Sequence, residues 1–235
     1  MSEARLAPRR IDLPDASALA EAASSKIAEA LADGLARSGK AALAATGGSS
    51  PIACYQRLAM APLDWSRIDV TLSDERWVPP ASADSNERMV RQNLLNGPAR
   101  AARFIPLWSD AATPEAAASR VEPSIVAMSP FDMVLLGMGD DGHFASLFPG
   151  NPALAQGLDP DCARWCIGVP AGSPAPPQPR ISLTLSALLK AGRILVLITG
   201  EAKRQVVDAA LAGADLPIRR LLSQDRTPVD ILWSP

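Results

Sequence analysis

Short, nearly uninterrupted apolar runs alternate in this chain with longer segments of helical periodicity, and that alternation restricts the fold more than any other feature. The runs are "AALAA" (41–45), "RIDVTLS" (67–73), "FDMVLLGM" (131–138), "RWCIGV" (164–169), "RILVLIT" (193–199) and "VDILW" (229–233), with "RFIPL" (103–107) a shorter candidate. By periodicity alone "AALAA" suits strand or helix, but its abrupt end at Thr46-Gly47-Gly48 favours a buried strand. Between the runs, Leu19, Ala23, Ile27, Leu31 and Leu35 recur every fourth residue and predict an amphipathic helix over 15–38, stopped by Gly39. Ser50-Pro51 offers an N-cap and a first-turn proline for a helix over 51–60. Asp84-Ser85-Asn86-Glu87 opens another that ends near Asn96-Gly97, and 114–128 and 201–211 supply two more. Strands that are apolar on both faces and separated by helices imply a mostly parallel α/β sheet with helices on both faces.

The chain's 235 residues suffice for one sizeable core, and the expectation is a single domain over 1–235. A net charge of −2 leaves no electrostatic footprint for nucleic acid or an anionic membrane surface, so an anionic ligand has to be held by local groups. Three cysteines, Cys54, Cys162 and Cys166, fit neither a disulfide framework nor a zinc site and read as reduced thiols. "MSEARLAPRRIDLPD" has no apolar core of a secretory signal, and the longest apolar runs stop far short of a membrane span. The expectation is a cytoplasmic protein, monomer or small homo-oligomer, with no membrane or nucleic-acid partner. The proline-rich "SPAPPQPR" (173–180) cannot be helical and reads as a rigid loop beside a site.

Ligands of open parallel sheets bind outside the carboxyl ends of the strands. Four unusual loops follow predicted strands directly: "TGGSSP" (46–51), "SDERWVPP" (73–80), "GMGDDGH" (137–143) and "GEAK" (200–203). In the first, Gly47 and Gly48 let backbone approach closely, Ser49 and Ser50 add hydroxyls, and a helix start aims N–H groups outward, an anion cradle without P-loop or dinucleotide spacing. Lys203 falls in the first turn of a helix, where a cation opposes the dipole at a cost of ~0.3–1 kcal/mol. One bound phosphate between that lysine and the glycine-serine turn accounts for both. His143, the only histidine, sits at a strand end among glycines, with Asp140 and Asp141 available to orient it, and is a competent general base. Asp74, Glu75 and Arg76 follow another strand; an acid there can steer the histidine or bind sugar hydroxyls, and the arginine can fork onto phosphate or carboxylate. No G-x-S-x-G elbow is present, which speaks against a serine hydrolase.

"TGGSSP", "SDERWVPPASADSN", "LLGMGDDGHFASLFPG", "PRISLTLSAL", "GEAKRQVV" and the closing "TPVDILWSP" occur in the order found in 6-phosphogluconolactonases, so that the chain resembles that family over essentially its whole length. The resemblance implies a Rossmann-like sheet similar to that of glucosamine-6-phosphate deaminases. It also implies hydrolysis of 6-phospho-D-glucono-1,5-lactone to 6-phosphogluconate in the oxidative pentose phosphate pathway, without metal or organic cofactor. Carried over by position, His143 is the base that activates water. Gly47, Gly48, Ser49, Ser50 and Lys203 hold the 6-phosphate, Arg76 and Arg180 are further ligands, and Asp74 and Asp141 orient the histidine or the sugar. Two positions depart from the family's pattern: Ser50 stands where threonine is common, and Phe144 replaces the usual threonine after the histidine. The deaminase/isomerase branch is the nearest rival, but its glutamate five residues after the histidine is here Phe148, which cannot move a proton. A non-catalytic sugar-phosphate sensor on the same scaffold would keep the glycine-serine loop and Lys203 and dispense with the base; a pure scaffold protein would leave the convergence of strand-end loops unexplained.

Overall fold

Ten strands, eight α-helices and two short 3-10 helices make up the computed structural model, which describes residues 6–172 and 177–235. The strands are β1 (Arg9–Asp12), β2 (Ala41–Ala45), β3 (Ile68–Leu72), β4 (Asp74–Arg76), β5 (Arg103–Phe104), β6 (Met133–Gly137), β7 (Cys166–Val169), β8 (Arg180–Leu183), β9 (Ile194–Thr199) and β10 (Val229–Ser234). The helices are α1 (Ala16–Ser38), α2 (Ile52–Leu58), α3 (Asn86–Asn93), α4 (Pro114–Met128), α5 (Leu154–Gly157), α6 (Leu185–Leu188), α7 (Glu201–Leu211) and α8 (Pro217–Leu222). Seven strands form one sheet in the order β1-β10-β9-β6-β2-β3-β5, and every pairing in it is parallel. The other three, β4-β8-β7, form a small antiparallel sheet.

The central strands β2, β6 and β9 are buried along almost their whole length, which is why they read as continuous apolar runs. Helix α1 covers them through Leu19, Ala23, Ile27 and Leu31, each nearly inaccessible to solvent. Burying a leucine or isoleucine side chain in this way is worth about 1.5–3 kcal/mol. Asp15 caps the start of the helix by accepting the Ala18 N–H at 2.8 Å, and Gly39 ends it in the left-handed region at φ 73°. A cystine framework plays no part: Cys54, Cys162 and Cys166 are free thiols.

Several sequence expectations change in detail. The helix after the glycine turn begins at Ile52, not Pro51, and Ser50 makes no capping bond; a tight turn closed by the Ile52 N–H on the Ser49 carbonyl (3.2 Å) takes its place. Helix α3 ends at Asn93, short of Asn96. "SDERWVPP" is not wholly a loop, since Asp74–Arg76 pairs with β8 as a strand, and "RWCIGV" joins that antiparallel sheet instead of the parallel one. A three-residue polar strand has no periodicity of its own; the partner strand 104 residues further on supplies it. Of the proline-rich stretch, residues 173–176 lie outside the described residues. Its end is tied down by the Trp77 N–H on the Pro179 carbonyl (2.9 Å) and Gln178 Nε2 on Asp84 (2.7 Å). Residues 1–5 of the N-terminal reading also lie outside the described residues, and no described helix is long and apolar enough to cross a membrane.

One contact fixes where the chain leaves β2. The buried Tyr55 hydroxyl of α2 accepts the Thr46 N–H at 2.8 Å and donates to the Thr46 carbonyl at 2.7 Å. Burial pushes this phenol far above its ordinary range, so it stays neutral and serves both groups. Tyr55→Phe leaves two buried backbone groups without partners, each costing about 1–3 kcal/mol. We expect Tyr55→Phe to lower the urea midpoint with an unchanged slope; an unchanged midpoint would show that the phenol is dispensable to the fold.

Candidate active site

The parallel sheet changes direction at β2: the chain passes from β2 to β3 on one side and returns as β6 on the other. Crevices at the carboxyl ends of such a pair are where open α/β sheets bind ligands. Here a cleft of about 310 Å³ opens above β2 and β6. It is lined by Gly47, Gly48, Ser49, Ser50, Asp74, Arg76, His143, Arg180 and Lys203, so nine of the ten residues to which the family likeness assigns a role line one cavity, which neither Glu75 nor Asp140 lines. The tenth, Asp141, contacts His143.

At the β2 exit, Gly48 adopts φ 87°, a conformation that favours glycine. Among the described residues, the backbone N–H groups of Gly47 to Ser50 find no protein acceptor, which leaves them free for an anion. Helix α2 behind them spans only Ile52–Leu58, so the donors come from the turn more than from a helix dipole. Across the crevice the Gly137 N–H reaches the Thr46 hydroxyl at 3.4 Å.

The β6 exit folds back on itself. The Gly139 N–H donates to the His143 carbonyl (2.9 Å), the Gly142 N–H to the Gly139 carbonyl (3.0 Å), and the Ile218 N–H of α8 to the Gly142 carbonyl (2.9 Å). A Cβ at Gly139 would lie 2.1 Å from the imidazole, so the ring packs on bare backbone. His143 Nδ1 meets Asp141 Oδ1 at 2.5 Å, and the same oxygen accepts the His143 N–H at 3.1 Å. In the neutral ring the Nδ1 proton is then held by the carboxylate, and Nε2 is left as the basic nitrogen. Phe148 packs against the imidazole with centroids 4.4 Å apart. The side chain of Phe144 is fully buried, so a threonine hydroxyl at that position would be drawn towards the core. Ala145 follows with φ 48°, a strained value for alanine, and lines the cleft.

Asp74 makes no hydrogen bond or ion pair with the histidine. Its carboxylate accepts the Ser146 hydroxyl at 2.6 Å and the Ser73 hydroxyl at 3.0 Å, with Arg180 at 3.9 Å. Arg76 and Arg180 stand directly opposite each other across β4 and β8, an unfavourable like-charge pairing. Arg76 is steered by the Asp84 carbonyl at 2.5 Å, but the buried Nε atoms of both arginines lack partners. Burial pulls the Arg180 guanidinium below its ordinary value, and Arg76 acts the same way against Asp74, Glu75 and Asp84. Opposed cations with unsatisfied donors have the chemistry to hold an anion. Lys203, in the first turn of α7 after Gly200 (φ 84°), lines the same cleft.

One residue of the cleft escaped the sequence reading, and another was named there only as a candidate acid. Asn86 lines the cleft, although only its place at a helix start was legible. Glu75, fully buried, accepts four hydrogen bonds; burial pushes its carboxyl up to about 7 against the pull of those donors. Among the described residues, no group of three or more His, Cys, Asp or Glu side chains is placed to hold a metal ion.

A family profile described as glucosamine-6-phosphate isomerases/6-phosphogluconolactonase matches residues 14–233. A 6-phosphogluconolactonase of Caulobacter vibrioides is 47% identical over 216 residues, covering 92% of this chain and 93% of its own. Among solved structures, a 6-phosphogluconolactonase from Shewanella baltica superposes with a TM-score of 0.93 at 38% identity, over 99% of this chain and 100% of that one. A monomeric glucosamine-6-phosphate deaminase shares the fold, with a TM-score of 0.73 at 21% identity over 96% of this chain and 97% of that one.

Because the chain has one histidine, its ring nitrogens can be read without assignment by two-bond proton–nitrogen correlation. We expect the Nδ1–H tautomer in the native protein, and its loss in Asp141→Ala and in Gly139→Ala. A native ring protonated at Nε2 instead would contradict the arrangement.

Proposed function

The chain belongs to the glucosamine-6-phosphate isomerase/6-phosphogluconolactonase family, and from that premise we propose that it hydrolyses 6-phospho-D-glucono-1,5-lactone to 6-phosphogluconate with His143 as general base. It is a lactone-hydrolysing enzyme of the 6-phosphogluconolactonase kind. The finer reading, which covers the roles of individual residues, a single domain over 1–235, cytoplasmic residence and a place in the oxidative pentose phosphate pathway, is part of the same proposal and is supported by the family likeness. The observation that carries the mechanism is the imidazole anchored through Nδ1 by Asp141 while lining the cavity that holds the free amides of 47–50 and Lys203.

The substrate's dianionic phosphate is held by the amides of Gly47 to Ser50 and by the Lys203 ammonium, with the Arg76 and Arg180 guanidiniums completing the charge. Anchoring the remote phosphate presents the lactone carbonyl to the histidine and reduces the entropic part of the barrier. Nε2 of His143 removes a proton from water as the water oxygen bonds to the carbonyl carbon, whose π electrons move onto the carbonyl oxygen. Asp141 stabilises the imidazolium that forms. Collapse of the tetrahedral intermediate breaks the bond to the ring oxygen, which takes the proton back from Nε2 and leaves as the sugar hydroxyl. In this reading Asp74, held by Ser73 and Ser146, faces the sugar and not the imidazole. The amides of Gly139, Gly142 and His143 are engaged within the turn and that of Gly137 with the Thr46 hydroxyl, so the donors of the cationic wall are the ones offered to the oxyanion.

Deaminase or isomerase chemistry is disfavoured, because the residue five after the histidine is the buried Phe148 packed on the ring. The test is lactone disappearance, with substrate made in situ and spontaneous opening subtracted. His143→Ala is expected to lower kcat by about 10²–10⁴-fold. Lys203→Ala is expected mainly to raise KM. If the native protein only matches background while binding 6-phosphogluconate, it is a sensor and the enzyme reading fails.

A further inference from the structure

We propose that Glu75 and Asn86 act as a positioning pair that templates the glycine turn at Gly47, and through it substrate binding more than the chemical step. The inference rests on reading Gly47 to Ser50 as the phosphate cradle. Neither residue is among those to which the likeness assigns a role.

Glu75 lies in β4, fully buried, with no part in the proton transfers. Its Oε1 accepts the N–H groups of Arg76 and Asn86, both at 2.7 Å. Its Oε2 accepts the Glu87 N–H at 2.7 Å and the Ser85 hydroxyl at 3.0 Å. Four donors converge on two oxygens, so the position suits a group that only accepts; a glutamine would set its –NH₂ against two of them. The carboxylate thereby clamps the first turn of α3 onto β4 and fixes the backbone of Asn86.

The Asn86 side chain is fixed in turn. Its Nδ2 donates to the Asp74 carbonyl at 2.9 Å, which sets the plane of the amide. That amide occupies the space a side chain at position 47 would need: a Cβ on Gly47 would fall 2.1 Å from Oδ1 and 2.3 Å from Cγ. The turn is therefore seated on Asn86, and Asn86 is seated by Glu75. Position 47 has to be glycine because of a residue 39 positions later.

The test compares native protein, Glu75→Gln, Asn86→Ala and the double variant. Inorganic phosphate binding is followed by calorimetry, and kcat, KM and thermal midpoint are measured alongside. We expect each single variant to weaken phosphate binding and raise KM by about tenfold, with kcat held within about threefold. The double variant should be no worse than about twofold beyond the worse single one, because the two residues act in series. Native phosphate affinity in both singles, independent multiplicative effects, or a loss confined to kcat overturns the proposal. If Glu75→Gln does not fold, Ser85→Ala, which removes one of the four donors, takes its place in the cycle. Phosphate binding needs no turnover. A native protein that binds phosphate but hydrolyses nothing therefore defeats the proposed activity without touching this inference.

Discussion

Parallel pairing on both sides of β2, with the chain departing to one neighbour and returning to the other, is the constraint from which the site follows. Connections that diverge from one strand pair cannot cover its carboxyl end, so a crevice persists there. The Thr46 exit from β2 and the Gly137 exit from β6 face each other across it, near enough for the Gly137 N–H to reach the Thr46 hydroxyl. Strand β9, paired to β6, adds the start of α7 and Lys203 to the same edge. On the other side β3 runs into β4, which swings the Asp74–Arg76 segment out of the main sheet and over the crevice.

Charge at this crevice is local. With a net charge of −2 the molecule has no general basic field, yet Arg76, Arg180 and Lys203 share one cavity. The arginines sit opposite each other with unsatisfied buried Nε atoms, an arrangement that costs stability and that a bound anion would relieve. The acids nearby are already committed: Asp74 to two serines, Glu75 to the first turn of α3, and Asp141 to the imidazole. The cations and the imidazole that share this cavity are therefore left with what the proposed reaction needs, a place for a phosphate and a basic nitrogen.

Much of this was legible in the chain. Strands buried on both faces have to be apolar throughout, and helices that cover them have to repeat every three to four residues, so β2, β6, β9, β10, α1, α4 and α7 could be placed closely. Glycine, histidine and lysine at strand exits stood out because neither core packing nor helix propensity accounts for them there. The short antiparallel sheet did not stand out. Strand β4 is three polar residues whose only claim to be a strand is pairing with β8, and no local pattern records a partner so distant.

By itself, the sequence determined which backbone segments are buried, in what order they alternate, and which reactive side chains sit at their carboxyl ends, because periodicity and turn chemistry act over a few residues. The tertiary structure alone decided that Asp141 and not Asp74 holds the imidazole, that Arg76 meets Arg180, and that Asn86 fills the space beside Gly47. The last two are contacts between distant segments. Even the first, two residues apart, needs the tight turn that Ile218 and the bare Gly139 backbone permit. Hydrogen bonds and close packing are short-ranged in space, so they are settled by where the folded chain brings atoms together, which no local pattern along the chain encodes.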